Sequence, residues 1–427
     1  MRAPIRARHP VAARDPAVTR RKKRNTLRHP SRDTSTAATP PSDNSSSFRS
    51  SVRRAVGVED RELFRRTRRV QRWQDLSRSN DDHTSANLAS QGWKWRRHKK
   101  GFELYTRESS MLSVSGAPVG SQTLSSLLDS EILAVGNVAC SISQLASPLR
   151  SPSESSYNSF MRTLYGSDFI YGSLVHQAIF RRKSRANSNN AAQPTKDRTN
   201  QLLVKTCAFV HTSLFDKKNE QLCYAELFSP TSSGGFNIST CSLAAREVIT
   251  GKVRPPLRRA LHQLHPLSTS LSAEPATSGV QVVFRARFHR SQSDESCSAK
   301  VMNARLWKFA MGMCELGKLV DTAQRAQGLS SSCMNHTIAG GPRNSRCIVC
   351  TRTMFHIFMM RSCCRCELCS YNVCHACCSS QRVAIYNRHV APLLVCARCH
   401  ESLDRDEFDS QLRAIKPISE GRNGLFL

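Results

Sequence analysis

Residues 280–288 read VQVVFRARF, and after a polar turn NARLWKFAMGMCELGKLVDTAQRAQG follows at 303–328. In the first run Val280, Val282, Phe284, Ala286 and Phe288 fall on one face of a strand, because successive side chains point to opposite sides. In the second, Leu306, Phe309, Met313, Leu316 and Val320 make one apolar stripe at helical spacing, and Gly328 suits the end of that helix. Each element has one face to bury. The simplest solution lays the helix across a sheet, with the Met and Phe stripe as packing rather than a cofactor site.

Upstream, short apolar runs separated by Gly, Ser and Pro suit an antiparallel sheet. They are FELYTRE (102–108), ILAVGNVACSI (132–142), DFIYGSLVHQAIF (168–180), LLVKTCAFV (202–210), QLCYAELF (221–228) and FNISTCSL (236–243). SYNSFMRTLYG (156–166) reads as a short helix between strands, and 181–200 as a solvent loop. EDRELFRRTRRVQRWQDLSR (59–78) reads as a helix, with Leu63, Val70, Trp73 and Leu76 at helical spacing and acids in its first turn. Residues 79–92 are a polar link. Together 59–330 is one α+β domain, long enough for a sizeable core. Residues 331–345 are a linker, 346–404 a cysteine-rich block and 405–427 a flexible tail.

The chain has 427 residues and a formal net charge of +31, from 63 Lys plus Arg against 32 Asp plus Glu. Residues 1–100 hold 26 basic and 9 acidic residues, so 26 − 9 = +17 of that charge lies in the first quarter. Residues 1–58, rich in Arg, Pro, Ser and Thr, read as a disordered basic tail that suits an anionic partner or simply stays solvated. Pro4, Pro10, Pro16 and Pro30 oppose a mitochondrial presequence. No run of eighteen apolar residues and no secretory signal core are present. The expected compartment is the cytoplasm, where thiols stay reduced; RRKKR at 20–24 makes the nucleus the weaker alternative.

Of the 18 cysteines, 11 lie in 347–399. RSCCRCELCSYNVCHACC (361–378) is the densest part. Eight form four CxxC pairs: Cys347/Cys350, Cys366/Cys369, Cys374/Cys377 and Cys396/Cys399. A CxxC turn aims two sulfurs at one ion, and two pairs complete a tetrahedral thiolate site. The gaps between pairs are 15, 4 and 18 residues. Four residues are too few for the second and third pairs to share a metal comfortably, so the sites interleave. Cys347, Cys350, Cys374 and Cys377 form one, and Cys366, Cys369, Cys396 and Cys399 the other. A reducing compartment argues against disulfides, and the βαβ setting of a redox CxxC is missing. Two zinc ions are the expected cofactors, supplying most of this block's stability, on the order of 10 kcal/mol or more per site. His356, His375, His389 and His400 are bystanders, and Cys363, Cys364 and Cys378 are left over.

This spacing, with Phe355 five residues after Cys350 and VCARCHE at 395–401, resembles a FYVE-type zinc finger with cross-braced metals. WKWRRHKKGFELYTRE (93–108), YGSDFIYGSLVH (165–176), LLVKTCAFV and QLCYAELF resemble a START domain, the helix-grip lipid-binding fold. The resemblance spans 59–403. It implies an apolar ligand in the START-like cavity and a peripheral membrane or adaptor role at the endosomal surface, with phosphatidylinositol 3-phosphate as the headgroup. FYVE fingers that bind this lipid carry R(R/K)HHCRxCG around the third cysteine. Here Cys364 and Arg365 stand at the two histidines, Glu367 at the following arginine and Ser370 at the glycine. Leu394 replaces the arginine of RVC, and GPRNSRC (341–347) replaces the WxxD motif. An acid at the centre opposes a phosphate site, although Arg361, Arg365 and His356 remain nearby. In MFHIFMMR (354–361), Phe358, Met359 and Met360 suit a loop at a membrane interface, while Phe355 suits the finger's interior.

No nucleotide, nucleophile-elbow or HExxH motif occurs, and eight cysteines closing two sites leave no open metal position, so catalysis is not expected. The alternatives are a RING-like ubiquitin ligase, against which stand the four-residue gap and the all-cysteine ligands, and a nucleic-acid-binding protein working through the basic tail. The groove-reading helix and base-stacking aromatics of nucleic-acid modules are missing. A docked protein partner for the finger stays open.

Overall fold

The structure, a computed structural model, describes residues 55–78, 85–110, 128–181, 199–211, 218–253, 261–289, 298–329, 344–356, 359–360, 363–384 and 390–403. The expectations for residues 1–54, for the loop over 182–198, for most of the linker and for 405–427 lie outside these. At the start of the described residues, Val56 bridges Val248 and Gly57 N–H donates to Glu247 O at 2.8 Å.

The strands are β1 (Lys94–Lys99), β2 (Phe102–Ser110), β3 (Leu128–Val138), β4 (Phe169–Arg181), β5 (Thr199–Phe209), β6 (Glu220–Pro230), β7 (Phe236–Ser242), β8 (His262–Gln263), β9 (Leu267–Ala276) and β10 (Gly279–Phe288). They form one sheet in the order β1-β2-β3-β10-β9-β7-β6-β5-β4, antiparallel throughout, with β8 added in parallel to β6. The helices are α1 (Asp60–Arg78), α2 (Ser85–Ser90), α3 (Ile142–Arg150), α4 (Glu154–Tyr165), α5 (Ala299–Met313) and α6 (Leu316–Leu329).

The deciding stretch behaves as its pattern dictates. β10 pairs with β3 on one side and β9 on the other along its whole length. Val280, Val282, Phe284, Ala286 and Phe288 all enter the main core, together with Leu306, Phe309, Met313, Leu316 and Val320. The C-terminal helix crosses the sheet in two segments, α5 and α6, that meet at Cys314–Glu315. Gly312 and Gly317 flank that break and weaken helix locally. Gly312 is there because α5 meets α4 closely: a Cβ would lie 2.4 Å from the Tyr165 ring. Gly172 on β4 serves the same end, since a Cβ there would meet Tyr157 at 2.4 Å. This is a helix-grip arrangement, with α3 to α6 held against the inner face of the sheet.

The outer face is covered too. α1 packs there through Leu63 and Val70 against Leu202, Val204, Ala225, Leu227 and Cys241. Further along, the cysteine block covers Ile170, Tyr171, Ala208 and Val253. Hence β6 is buried almost end to end. A strand covered on both faces reads as a continuous apolar run rather than an alternation. No helix among the described residues is long and apolar enough to cross a membrane.

Candidate metal centres and apolar cavity

The cysteine block contains β11 (Phe355–His356), β12 (Met359–Met360), β13 (Cys363–Arg365), β14 (Asn372–Cys374), β15 (Cys378–Ala384), β16 (Val390–Cys396) and the short helix α7 (Ala397–Leu403). The sulfurs of Cys347, Cys350, Cys374 and Cys377 all lie within 4.8 Å of one another, and so do those of Cys366, Cys369, Cys396 and Cys399. Cys350 and Cys374 sulfurs stand 3.6 Å apart, and those of Cys369 and Cys396 3.9 Å apart. Tetrahedral thiolates at about 2.3 Å from one zinc are separated by about 3.8 Å, so the spacing is that of a four-sulfur cage. Cys396 N–H donates to the Cys366 sulfur at 3.3 Å, which stabilises a thiolate.

Crowding also separates the protons. Hydrogen bonds from Cys350 and Cys377 hold Cys347 far below the usual thiol range, at about 2. Those of Cys369, Cys396 and Cys399 hold Cys366 lower still, while Cys377 and Cys399 are pushed far up by the same neighbours. A cation in each cage would release the remaining protons. By contrast, burial pushes Cys207, Cys223 and Cys241 in the sheet up to about 12, as for ordinary core thiols.

Each cage rests on a tight knuckle. Thr351 N–H donates to Cys347 O at 2.9 Å, and Ser370 N–H to Cys366 O at 2.8 Å. Both residues sit in the left-handed region, with φ of 60° and 61°. That conformation costs a non-glycine residue roughly 1–2 kcal/mol. Ser370→Gly should therefore raise the stability of the metal-loaded chain by about 1 kcal/mol, read as a higher midpoint in denaturant at unchanged metal content.

Glu367 takes a structural part. Its N–H donates to Leu394 O at 2.9 Å, and its carboxylate accepts from Leu394 N–H at 2.5 Å. The acid thus clamps the second cage to β16. Arg365 is exposed on β13, opposite Asn372 of β14. Phe358 and Arg361 lie outside the described residues. Met359 and Met360 pair as backbone with His356 and Phe355, and their side chains are outside the description.

The finger is seated on the sheet. Arg398, between two cysteines of the second cage, donates to the Ser173 hydroxyl and lies over the Tyr171 ring at 4.7 Å. Tyr371, just after Ser370, meets Tyr171 edge-on at 5.0 Å and carries Arg162 of α4 over its ring at 4.9 Å. Asn219 donates to Thr351 O at 3.1 Å, reaching the first cage. Nothing in the spacing of the cysteines pointed to these contacts, because they join segments far apart in sequence.

On the opposite face, an apolar cavity of ≈ 100 Å³ lies between the sheet and the helices. Phe160, Tyr165, Phe209, Phe284, Phe309 and Met313 fill much of its wall. Its polar end was not visible in the sequence. Lys205, fully buried, pairs with Glu226 at 2.5 Å and lies 4.9 Å above the Tyr157 ring. Tyr157 and Tyr224 hydroxyls share a hydrogen bond of 2.8 Å, and burial holds both phenols well above their ordinary range.

No family model matches the chain, and no curated protein matches it. Among solved structures it is similar to a fragment of the STAR-related lipid transfer protein from Xanthomonas axonopodis, at 12% identity, TM-score 0.33, over 54% of this chain and 99% of that one. It is similar to human StAR-related lipid transfer protein 5 at 12% identity, TM-score 0.33, over 62% and 100%. The aromatase/cyclase Zhui from a Streptomyces species is 9% identical, TM-score 0.26, over 47% and 96%.

Proposed function

We propose that this is a non-catalytic, lipid-binding protein of the cytoplasm whose FYVE-like finger carries two zinc ions and braces a helix-grip domain. The observation that carries the reading is the apolar cavity between sheet and helices, whose lining includes Glu226, the partner of the buried Lys205. That arrangement suits a molecule with an apolar body and one polar group. At ≈ 100 Å³ the cavity holds only a small apolar molecule; ordinary ligand pockets offer roughly 300 Å³ or more. A lipid chain enters only if the helices that line the cavity, α3, α4 and α5, part from the sheet.

Zinc fits two closed four-thiolate cages better than hard cations, which take oxygen ligands. Closed cages give a structural role. The core thiols are held protonated by burial, which makes them poor nucleophiles. The headgroup of phosphatidylinositol 3-phosphate draws no support, since Glu367 is committed to Leu394. Neither ubiquitin transfer nor nucleic-acid binding gains a feature from this geometry.

Organic extraction of the purified full chain, followed by mass spectrometry and displacement by a fluorescent fatty acid, tests the reading. An extractable apolar molecule and saturable displacement are expected. Ile238→Trp, which fills the cavity from β7, should abolish both while leaving two zinc ions per chain. A wild-type chain that neither carries nor binds an apolar molecule overturns the proposal.

A further inference from the structure

β1 is the outermost strand of the sheet, and its residues are exposed from Lys94 to His98. Its sequence, KWRRHK, carries no acid, and Lys100 follows at the turn into β2. Cations on an edge strand ordinarily prevent edge-to-edge pairing. That explanation leaves out Trp95, which is 58% exposed and is among the few large apolar side chains at the surface. An exposed tryptophan between cations is the composition of a segment that settles at the headgroup level of a bilayer.

The charges on this strand are largely uncommitted. Arg96 donates to the Thr106 hydroxyl at 2.7 Å, and Lys94 and Arg97 meet no carboxylate among the described residues. Among the described residues, the ion pairs of this segment lie at its far end, where Lys99 and Lys100 reach Glu315 at 3.7 and 2.5 Å. Glu315 sits at the break between α5 and α6, two residues after Met313 of the cavity wall. The basic strand is therefore tied to the C-terminal end of α5, whose Phe309 and Met313 line the cavity.

We infer that β1 is a docking edge for an anionic lipid bilayer, with Trp95 entering the headgroup layer and Lys94, Arg96 and Arg97 meeting acidic lipid. Docking there brings the Cys314–Glu315 break next to the membrane, on the side where an apolar ligand would leave or enter. That last step rests on the cavity reading; the docking itself does not. A bilayer suits the strand better than a nucleic acid, because one isolated aromatic gives a membrane anchor but no platform for successive bases.

The test uses the zinc-loaded full chain and vesicles of phosphatidylcholine with or without about one-third phosphatidylserine. Sedimentation should show binding only to the anionic vesicles, weakening steeply with salt. Arg96→Gln with Arg97→Gln should weaken it by roughly 30-fold, since each cation near such a surface contributes about a fivefold factor. Trp95→Ala should weaken it at unchanged salt dependence. All three sites are exposed, so zinc content and extractable ligand should not change, and a failed cavity would show separately as an empty extract. Equal binding by the variants, or equal binding to neutral vesicles, overturns the inference. So does saturable binding to a single-stranded oligonucleotide with none to vesicles.

Discussion

Cys366→Ser is expected to yield a chain holding one metal ion instead of two, zinc on the function proposed above, with the sheet domain melting earlier than in the wild type. The first effect follows from geometry. Cys366 is fully buried and accepts the Cys396 N–H, so a serine there removes both a thiolate ligand and the anchor of that amide. Structural zinc sites bind with about 10–16 kcal/mol of apparent free energy, nearly all of which is folding free energy for the block around them. The second effect follows from the seam. Arg398 and Tyr371, both held by the second cage, cover Tyr171 on the sheet's outer face. Uncovering Tyr171 costs the sheet roughly 1.5–3 kcal/mol of apolar burial and about 0.5–1.5 kcal/mol of ring contact. Zinc content by absorption spectrometry and thermal melting of the full chain are the readouts. A melt of the sheet that ignores the lost metal would mean that finger and sheet are energetically independent, and the seam would carry no weight.

How much of this could be read from the chain alone depends on how local the determining forces are. CxxC turns and their gaps are local, and they point to the same eight sulfurs that the structure gathers into two cages. The stripes on β10, α5 and α6 are periodic and so were legible. β9 was not. LSTSLSAEPA has few large apolar residues and a proline, and it is a strand because β10 and β7 supply hydrogen-bonding partners on both sides. β1 was hidden for a similar reason, since its charge density reads as coil until an edge position is known. The break at Cys314–Glu315 is invisible in the apolar stripe, which continues in register from Met313 to Leu316. It follows instead from Gly312, Gly317 and the pull of Lys99 and Lys100 on Glu315. Lys205, Glu226 and Arg305 stand inside apolar runs, and nothing local in the sequence marks them as buried. Their burial depends on partners 21 and 85 residues away.

Those buried charges set up the other large effect. Glu220 lies at the start of β6 with its side chain 2% exposed. It accepts from Arg305 of α5 at 2.5 Å through one oxygen and bonds His211 at 2.7 Å through the other. Arg305, itself fully buried, also donates to Val210 O at 3.0 Å and lies 4.3 Å over the Phe209 ring. The acid thus fastens the C-terminal helix to the sheet at one point beneath the cavity. Glu220→Gln keeps the shape and removes the charge, which leaves a guanidinium in the core without a counter-ion. Breaking a buried pair from one side costs about 3–5 kcal/mol, because the other charge stays desolvated. At roughly 2–4 °C per kcal/mol for a domain of this size, the melting temperature should fall by about 6–20 °C. Replacing both partners, Glu220→Leu with Arg305→Met, should recover much of that loss, since a well-packed apolar pair is often no worse than a buried ionic one. With the single variants Glu220→Leu and Arg305→Met added, the double-mutant cycle gives the coupling directly. A single Glu220→Gln variant that melts within a degree of wild type would mean that water reaches Arg305, and that α5 is held to the sheet by its apolar stripe alone.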